Sequence, residues 1–212
     1  VVYLAFPSGT TGEPKGVMHS NNTLLANARA LAGEWSFDHA SVLYTLSPLS
    51  HNLGFGALVM TMLIGGELVL HDLPAGVRLL QHLRNCKATF IYGVPAHAID
   101  LLAEIDAEGR ADLDDLRGFR ISGAASPPSV VQKLIGYGIM PQSGYGMTEA
   151  GSHHFTLPDD TPERIVTTSG RACPGYEVRV FSADDQSQVV ATGEIGQIGG
   201  RGASLMLGYY ND

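Results

Sequence analysis

The chain opens on an apolar run, Val1 to Phe6, and resumes one from Gly16 to Met18 after a polar, glycine-rich stretch, which predicts a strand-loop-strand hairpin. Ser20 or Asn21 then caps a helix whose apolar residues Leu24, Leu25, Ala28, Leu31 and Ala32 recur at helical spacing. Beyond it, strand-like and helix-like stretches alternate. Strands are predicted over Ser41–Leu46, Glu67–His71, Thr89–Tyr92, Phe119–Ser122 and Met140–Ser143, the last running into a Gly-Tyr-Gly-Met-Thr-Glu turn. Helices are predicted over Leu53–Leu63, closed by Gly65-Gly66, over Val77–Asn85, and from Pro95 through Ile99, Leu101 and Leu102. A further helix takes Pro127 and Pro128 in its first turn, with Ser126 as its cap. Such alternation implies a mainly parallel sheet with helices on its faces, and ligands gather beyond the carboxyl ends of its strands. His51, Gly123 and Tyr145 each follow a predicted strand and can converge on one crevice. After about Pro158 the pattern turns to short hairpin strands, Glu177–Phe181, Val189-Val190 and Ile195–Ile198. The chain therefore divides into an edge hairpin and helix (1–34), an α/β region (35–160) and a β-rich region (161–212).

Composition narrows the class. With 44% apolar and 16% charged residues over 212 positions, the chain is globular rather than disordered. No apolar run approaches the roughly 20 residues needed to cross a membrane, and no signal peptide opens the sequence. The two cysteines, Cys86 and Cys173, stand far apart without metal-site spacing, which favours free thiols and a cytoplasmic setting. A formal charge of −8 argues against a nucleic-acid partner held by phosphate attraction. A nucleotide-binding protein this acidic must concentrate positive potential locally.

Ser8-Gly9-Thr10-Thr11-Gly12-Glu13-Pro14-Lys15-Gly16 supplies it. Glycines let backbone N–H groups face a ligand, the Ser and Thr hydroxyls add donors, and Lys15 adds a mobile cation. That inventory suits a polyphosphate. It is not a Walker loop, whose lysine follows glycine and precedes Ser or Thr; Lys15 lies between Pro14 and Gly16.

Taken as SGTTGEPKGVMHS, these residues closely resemble the phosphate loop of the acyl-adenylate-forming enzymes, which include acyl-CoA synthetases, luciferases and peptide-synthetase adenylation domains. SPLSHNLGF (47–55), ISGAAS (121–126), GYGMTEA (144–150), SGRACPGYEVRV (169–180) and GEIGQIGGRGASLMLGYYND (193–212) are similar to that superfamily's core motifs, in the same order. Pro7 is a departure: many members carry Thr or Ser there, so one amide and one hydroxyl are missing at the loop's mouth.

The resemblance implies the core of the superfamily's large domain, α/β followed by part of a β-barrel-like subdomain. It implies ATP and AMP binding through Ser8, Gly9, Thr10, Thr11, Gly12 and Lys15 on the phosphates. Gly123, Ala124, Ala125, Gly144, Tyr145 and Gly146 would hold the adenine, with Tyr145 stacking on it. Ala125 suits tight helix-strand packing equally well. Thr148 would meet the α-phosphate, Glu149 would bind Mg²⁺ and His51 would gate the pocket or orient the incoming carboxylate. Mg²⁺ prefers hard oxygen ligands and often takes only one or two carboxylates beside substrate phosphates. His153-His154 lacks a surrounding ligand pattern and is not read as a metal site.

The acyl pocket should draw on residues 52–55, 94–97 and 124–126, mostly apolar or small. Peptide-synthetase relatives place an Asp shortly after the His51 position, and here no acidic residue occurs between Asp38 and Glu67. The implied substrates are a hydrophobic carboxylic acid and coenzyme A, as in AMP-forming acyl-CoA synthetases. The competing implications are an adenylating enzyme that loads a carrier protein, and a nucleotide-binding fragment without catalysis. Both ends look cut from a longer polypeptide; the resemblance puts a ribose-binding Asp and a catalytic Lys beyond Asp212, so the chain alone is expected to be inactive and to self-associate, a homo-oligomer being one outcome.

Overall fold

The computed structural model describes residues 1–7, 15–73 and 76–211. Strand β1 (Tyr3–Ala5) pairs antiparallel with β2 (Val17–His19), as the two apolar runs predict. Helix α1 (Asn21–Trp35) starts at Ser20, whose hydroxyl accepts from the Thr23 N–H while the Thr23 hydroxyl accepts from the Ser20 N–H. Then follow β3 (Val42–Thr45), α2 (Asn52–Ile64), β4 (Glu67–Leu70), α3 (Leu79–Asn85), β5 (Phe90–Gly93), α4 (Pro95–Glu108), β6 (Gly118–Ile121) and α5 (Pro128–Gly136). The chain continues through β7 (Met140–Met147), β8 (Gly151–Phe155), α6 (Pro162–Thr167), β9 (Arg171–Ala172), β10 (Tyr176–Phe181), β11 (Gln197–Gly202) and β12 (Gly208–Tyr209).

Seven strands form the central sheet in the order β4-β3-β5-β6-β7-β8-β9. Pairing is parallel from β4 to β7 and antiparallel from β7 through β9. Side chains alternate across it. Tyr44, Ile91, Phe119 and Ile121 join Leu80, Leu101, Ile105 and Leu134 of α3, α4 and α5 on one face. Leu43, Phe90 and Tyr92 pack on the other with Ala28, Leu31 and Trp35 of α1 and Ala57 and Met60 of α2. Each such large apolar side chain contributes about 1.5–3 kcal/mol on burial. The β10–β11 hairpin stands apart from this sheet, and β12 returns to pair with β2. The last described strand therefore reaches back to the hairpin that opens the chain.

Three expectations are corrected. Ser126 does not cap α5: Pro127 holds the cap position without a side-chain bond. A second proline at the helix start leaves few N–H groups there for a serine to satisfy. Gly144 to Met147 is strand, not turn, because β7 leaves its parallel partner β6 after Ser143 and pairs antiparallel with β8. Strand β8 and helix α6 were not expected at all, the former hidden by its Gly-Ser-His-His polarity. Among the described residues, no helix is long and apolar enough to cross a membrane.

Candidate active site

A cavity of about 240 Å³ opens between α1, α2 and the carboxyl ends of the central strands. His51, Gly123, Gly146 and Thr148, from three segments of the chain, line it, whereas Tyr145, expected in the same crevice as His51 and Gly123, does not. A second cavity of about 180 Å³ is lined by Ala124, Ala125, Ser143 and Gly144. Gly123 has φ +91°, a left-handed conformation that L side chains rarely adopt. It turns the chain at the end of β6, with its own backbone on the first cavity and the next two residues on the second.

Tyr145 is 39% exposed, and its ring meets the His153 ring edge-on at 5.2 Å between centroids. His153, 2% exposed, stacks in turn on Tyr176 at 4.9 Å. Part of the Tyr145 ring remains exposed to solvent. Ser143, not foreseen as a site residue, lies beside it: its N–H donates to the Thr156 hydroxyl and its own hydroxyl donates to the Ile165 carbonyl.

The Thr148–Ala150 turn is fixed from three sides. His19 Nε2 donates to the Thr148 carbonyl at 2.7 Å, the Met206 N–H donates to the Glu149 carbonyl at 2.7 Å, and the Ser204 hydroxyl donates to the Ala150 carbonyl. The Glu149 carboxylate accepts from the Tyr209 hydroxyl at 3.0 Å, and Lys15 Nζ lies 5.0 Å from the centroid of that same Tyr209 ring. Tyr209 thus links Lys15 to the one carboxylate in the Gly-Tyr-Gly-Met-Thr-Glu motif. No group of three or more His, Cys, Asp or Glu side chains is gathered for a metal among the described residues. A single half-buried carboxylate with an oxygen turned from Tyr209 fits Mg²⁺ that takes its remaining ligands from substrate phosphates and water. Ser8, Gly9, Thr10, Thr11 and Gly12 lie outside the described residues.

His51 is the N-cap of α2, its Nδ1 accepting from the Leu53 N–H at 3.2 Å. That bond leaves the proton of the neutral ring on Nε2. Residues 94–97 and 124–126, expected in the acyl pocket, do not line the larger cavity. His97 instead folds back to accept from the Val94 N–H. Their place is taken by Leu24, Asn27, Ala28 and Leu31 of α1, which the sequence placed on a helix but not at the site. Arg120 and Tyr92 also line the cavity, and a charge inside the buried strand Gly118–Ile121 was the signal that could have revealed them.

Burial first, then the neighbouring His154, pulls the His153 imidazole from the ordinary 6.5 down to about 4, and burial lowers His154 as well. The two rings share an Nδ1–Nδ1 hydrogen bond of 2.9 Å that only a proton on one of them can make. Unfolding lets both rings take up protons, so between about pH 6.5 and 4 the unfolded chain binds more protons and stability falls as pH falls. The melting temperature is expected to drop on going from pH 7 to pH 5, and His153→Phe, which keeps the stack on Tyr176, is expected to shrink that drop. An unaltered drop in the variant would remove His153 as its cause.

The chain is 33% identical to a medium-chain fatty-acid–CoA ligase of Escherichia coli over 98% of its own length and 36% of the ligase. It is 30% identical to a mitochondrial medium-chain acyl-CoA ligase of Macaca fascicularis, over all of its length and 35% of that protein. The chain therefore spans about a third of the length of these curated relatives. The structure of O-succinylbenzoate coenzyme A synthetase from Bacillus subtilis in complex with AMP superimposes with a TM-score of 0.87 at 25% identity, over 98% of this chain and 42% of that one. The model of the AMP-binding enzyme family matches residues 1–210, so the strand-end cavity, the exposed Tyr145 face and the Lys15–Tyr209–Glu149 line lie in a chain that belongs to the AMP-binding enzyme family.

Proposed function

We propose that the full-length protein is an AMP-forming acid–thiol ligase. A carboxylate oxygen attacks the α-phosphorus of ATP, the bond to the β-phosphate oxygen breaks, and pyrophosphate leaves with the electron pair. The thiol of coenzyme A then displaces AMP from the acyl carbon. Both reactants of the first step are anions, so this chain's task is charge neutralisation and alignment. Lys15 and the loop that precedes it hold the β- and γ-phosphates. Thr148 donates to an α-phosphate oxygen, and the exposed Tyr145 face carries the adenine between Gly144 and Ala124. His51 donates from Nε2 to the incoming carboxylate while its Nδ1 stays bonded to α2. Mg²⁺ on Glu149 would supply further positive charge to the phosphates.

The observation that carries this reading is the meeting of His51, Gly123 and Thr148 on one largely apolar cavity, beside the Lys15–Tyr209–Glu149 line. The cavity's Leu24, Leu31, Val59 and Met60 suit an aliphatic acid, as do relatives named for medium-chain acids.

Exchange of radiolabelled pyrophosphate into ATP, run over a panel of carboxylic and amino acids, tests the first step. Activity with carboxylic acids and formation of their CoA thioesters are expected. Exchange supported by α-amino acids alone, or by no acid, would overturn the reading, and transfer to a phosphopantetheine carrier in place of coenzyme A would move the acceptor.

A further inference from the structure

Arg120 is 3% exposed, and no carboxylate lies within ion-pair distance of it among the described residues. A buried arginine is rarely left without an anion, because desolvating the charge is costly unless something pairs with it. Its surroundings make the shortage sharper. Tyr92, Arg120 and Gln142 are register partners on the adjacent parallel strands β5, β6 and β7. They form a polar row on the face turned toward α1 and α2, opposite the face where Phe119 and Ile121 pack.

Within that row donors outnumber acceptors. The guanidinium has five N–H groups. One nitrogen donates to Gln142 Oε1 at 2.6 Å and another to the Ser152 hydroxyl oxygen. Accepting from Arg120 turns the Gln142 amide so that its Nε2 faces away, and among the described residues that nitrogen has no partner. The Tyr92 hydroxyl has none either, although the Arg120 guanidinium lies 5.8 Å from the centre of its ring. Burial pushes the Tyr92 phenol up to about 12, so it keeps its proton at neutral pH, and it pulls the Arg120 guanidinium below its ordinary range, which is the cost an anion on it would offset. Arg120, Tyr92 and Ser152 all line the cavity assigned to the acyl group.

We infer that this row binds a second carboxylate, at the far end of the acid whose first carboxylate is activated at Thr148. The inference rests on the acid-activating reading of the same cavity and narrows its substrate from hydrophobic acids in general to diacids with an apolar middle. A carboxylate brings two oxygens and about four lone-pair sites and pairs with a guanidinium in its own plane. It supplies what the row lacks. Arg120 and Gly123 are three residues apart along β6 and its extension, a span of about 10 Å at 3.3 Å per residue. The row therefore lies deeper along the strands than the turn at Gly123, and the carbons of an acid reaching it from Thr148 would lie against Ala28, Leu31, Val59 and Met60.

The test compares adipic, suberic and sebacic acids with hexanoic, octanoic and decanoic acids on the full-length protein, by kcat/KM in pyrophosphate exchange and by ligand-induced thermal shift without ATP. A diacid preference on the order of tenfold or more is expected, since a site built to hydrogen-bond a polar group discriminates against analogues that lack it. Arg120→Met should reduce that preference by a similar factor and cancel the diacid's thermal shift. Wild-type protein that favours the monoacids, in rate and in thermal shift, would overturn the inference and leave the row to ordered water, with the ligase reading intact. A diacid thermal shift that Arg120→Met removes, with no exchange for any acid, would uphold the second-carboxylate site and sink the ligase reading. If Arg120→Met does not fold, the wild-type panel decides by itself.

Discussion

Lys15→Ala is expected to slow adenylation by on the order of 10²–10³, about 2.7–4 kcal/mol of transition-state stabilisation, the size found on removing one preorganised donor from a developing anion. The chain carries a formal charge of −8 yet has to bring a carboxylate against a triphosphate. Uncompensated, that encounter is repulsive, and positive charge near it has few sources. Lys15 is exposed two residues before the second hairpin strand, so its truncation should cost the fold little. Its ammonium is held 5.0 Å from the centre of the Tyr209 ring, whose hydroxyl reaches Glu149 on the other side of the site. An ammonium on a flexible stem can move from the ring to a phosphate, whereas the ring keeps it near when no phosphate is bound. Single-turnover acyl-adenylate formation measures the effect without interference from product release. A rate within threefold of wild type would take Lys15 out of the phosphate site.

The parallel core was legible because its inner strands β5 and β6 are buried on both faces and read as short continuous apolar runs, and because α1 and α2 carry clear termini. Ser20 caps α1 and Gly65 closes α2, both as the residue types predict. Legibility ended where one polar strand served two partners. The sequence from Met140 to Met147 holds a parallel half and an antiparallel half, and its glycines resemble turn residues although they are strand residues under close approach. Candidate site residues were proposed from contiguous motifs, and of the three expected in one crevice Tyr145 does not line the cavity. His51, Gly123 and Thr148 come together at one cavity from segments far apart in the chain. Tyr209 was invisible for a physical reason: it acts through a strand pairing between the two ends of the chain, and nothing local in Gly-Tyr-Tyr announces a bond to Glu149. Arg120 was overlooked for a different one. Its neighbours made the segment read as core strand, and the single charge in it mattered only once Tyr92 and Gln142 were seen in register beside it.

Gly146→Ala is expected to cost about 10²-fold in adenylation although it adds only one methyl group. A Cβ at Gly146 would lie 2.3 Å from the Gly151 carbonyl oxygen and 2.8 Å from the Ser152 Cα, all of it backbone that no side-chain rotation can clear. Strands β7 and β8 must therefore separate there, next to the register shift between Tyr145 and Met147. Tyr145 and Thr148 flank the substituted position on the same short stretch, so both the adenine platform and the α-phosphate donor move with it. A displacement of about 1 Å at reacting groups can remove 10²-fold in rate. Overpacking of this kind also costs typically about 1–3 kcal/mol of stability. Gly136→Ala, at the end of α5 where an added Cβ meets nothing within 4 Å, is the control and should change neither rate nor melting temperature appreciably. The comparison reads kcat/KM for pyrophosphate exchange against melting temperature for both variants. Should Gly146→Ala melt a few degrees lower yet exchange at the wild-type rate, the β7–β8 crossing would be scaffold alone, and the placement of Tyr145 and Thr148 would have to depend on the His19, Ser204 and Met206 contacts to the turn beyond it.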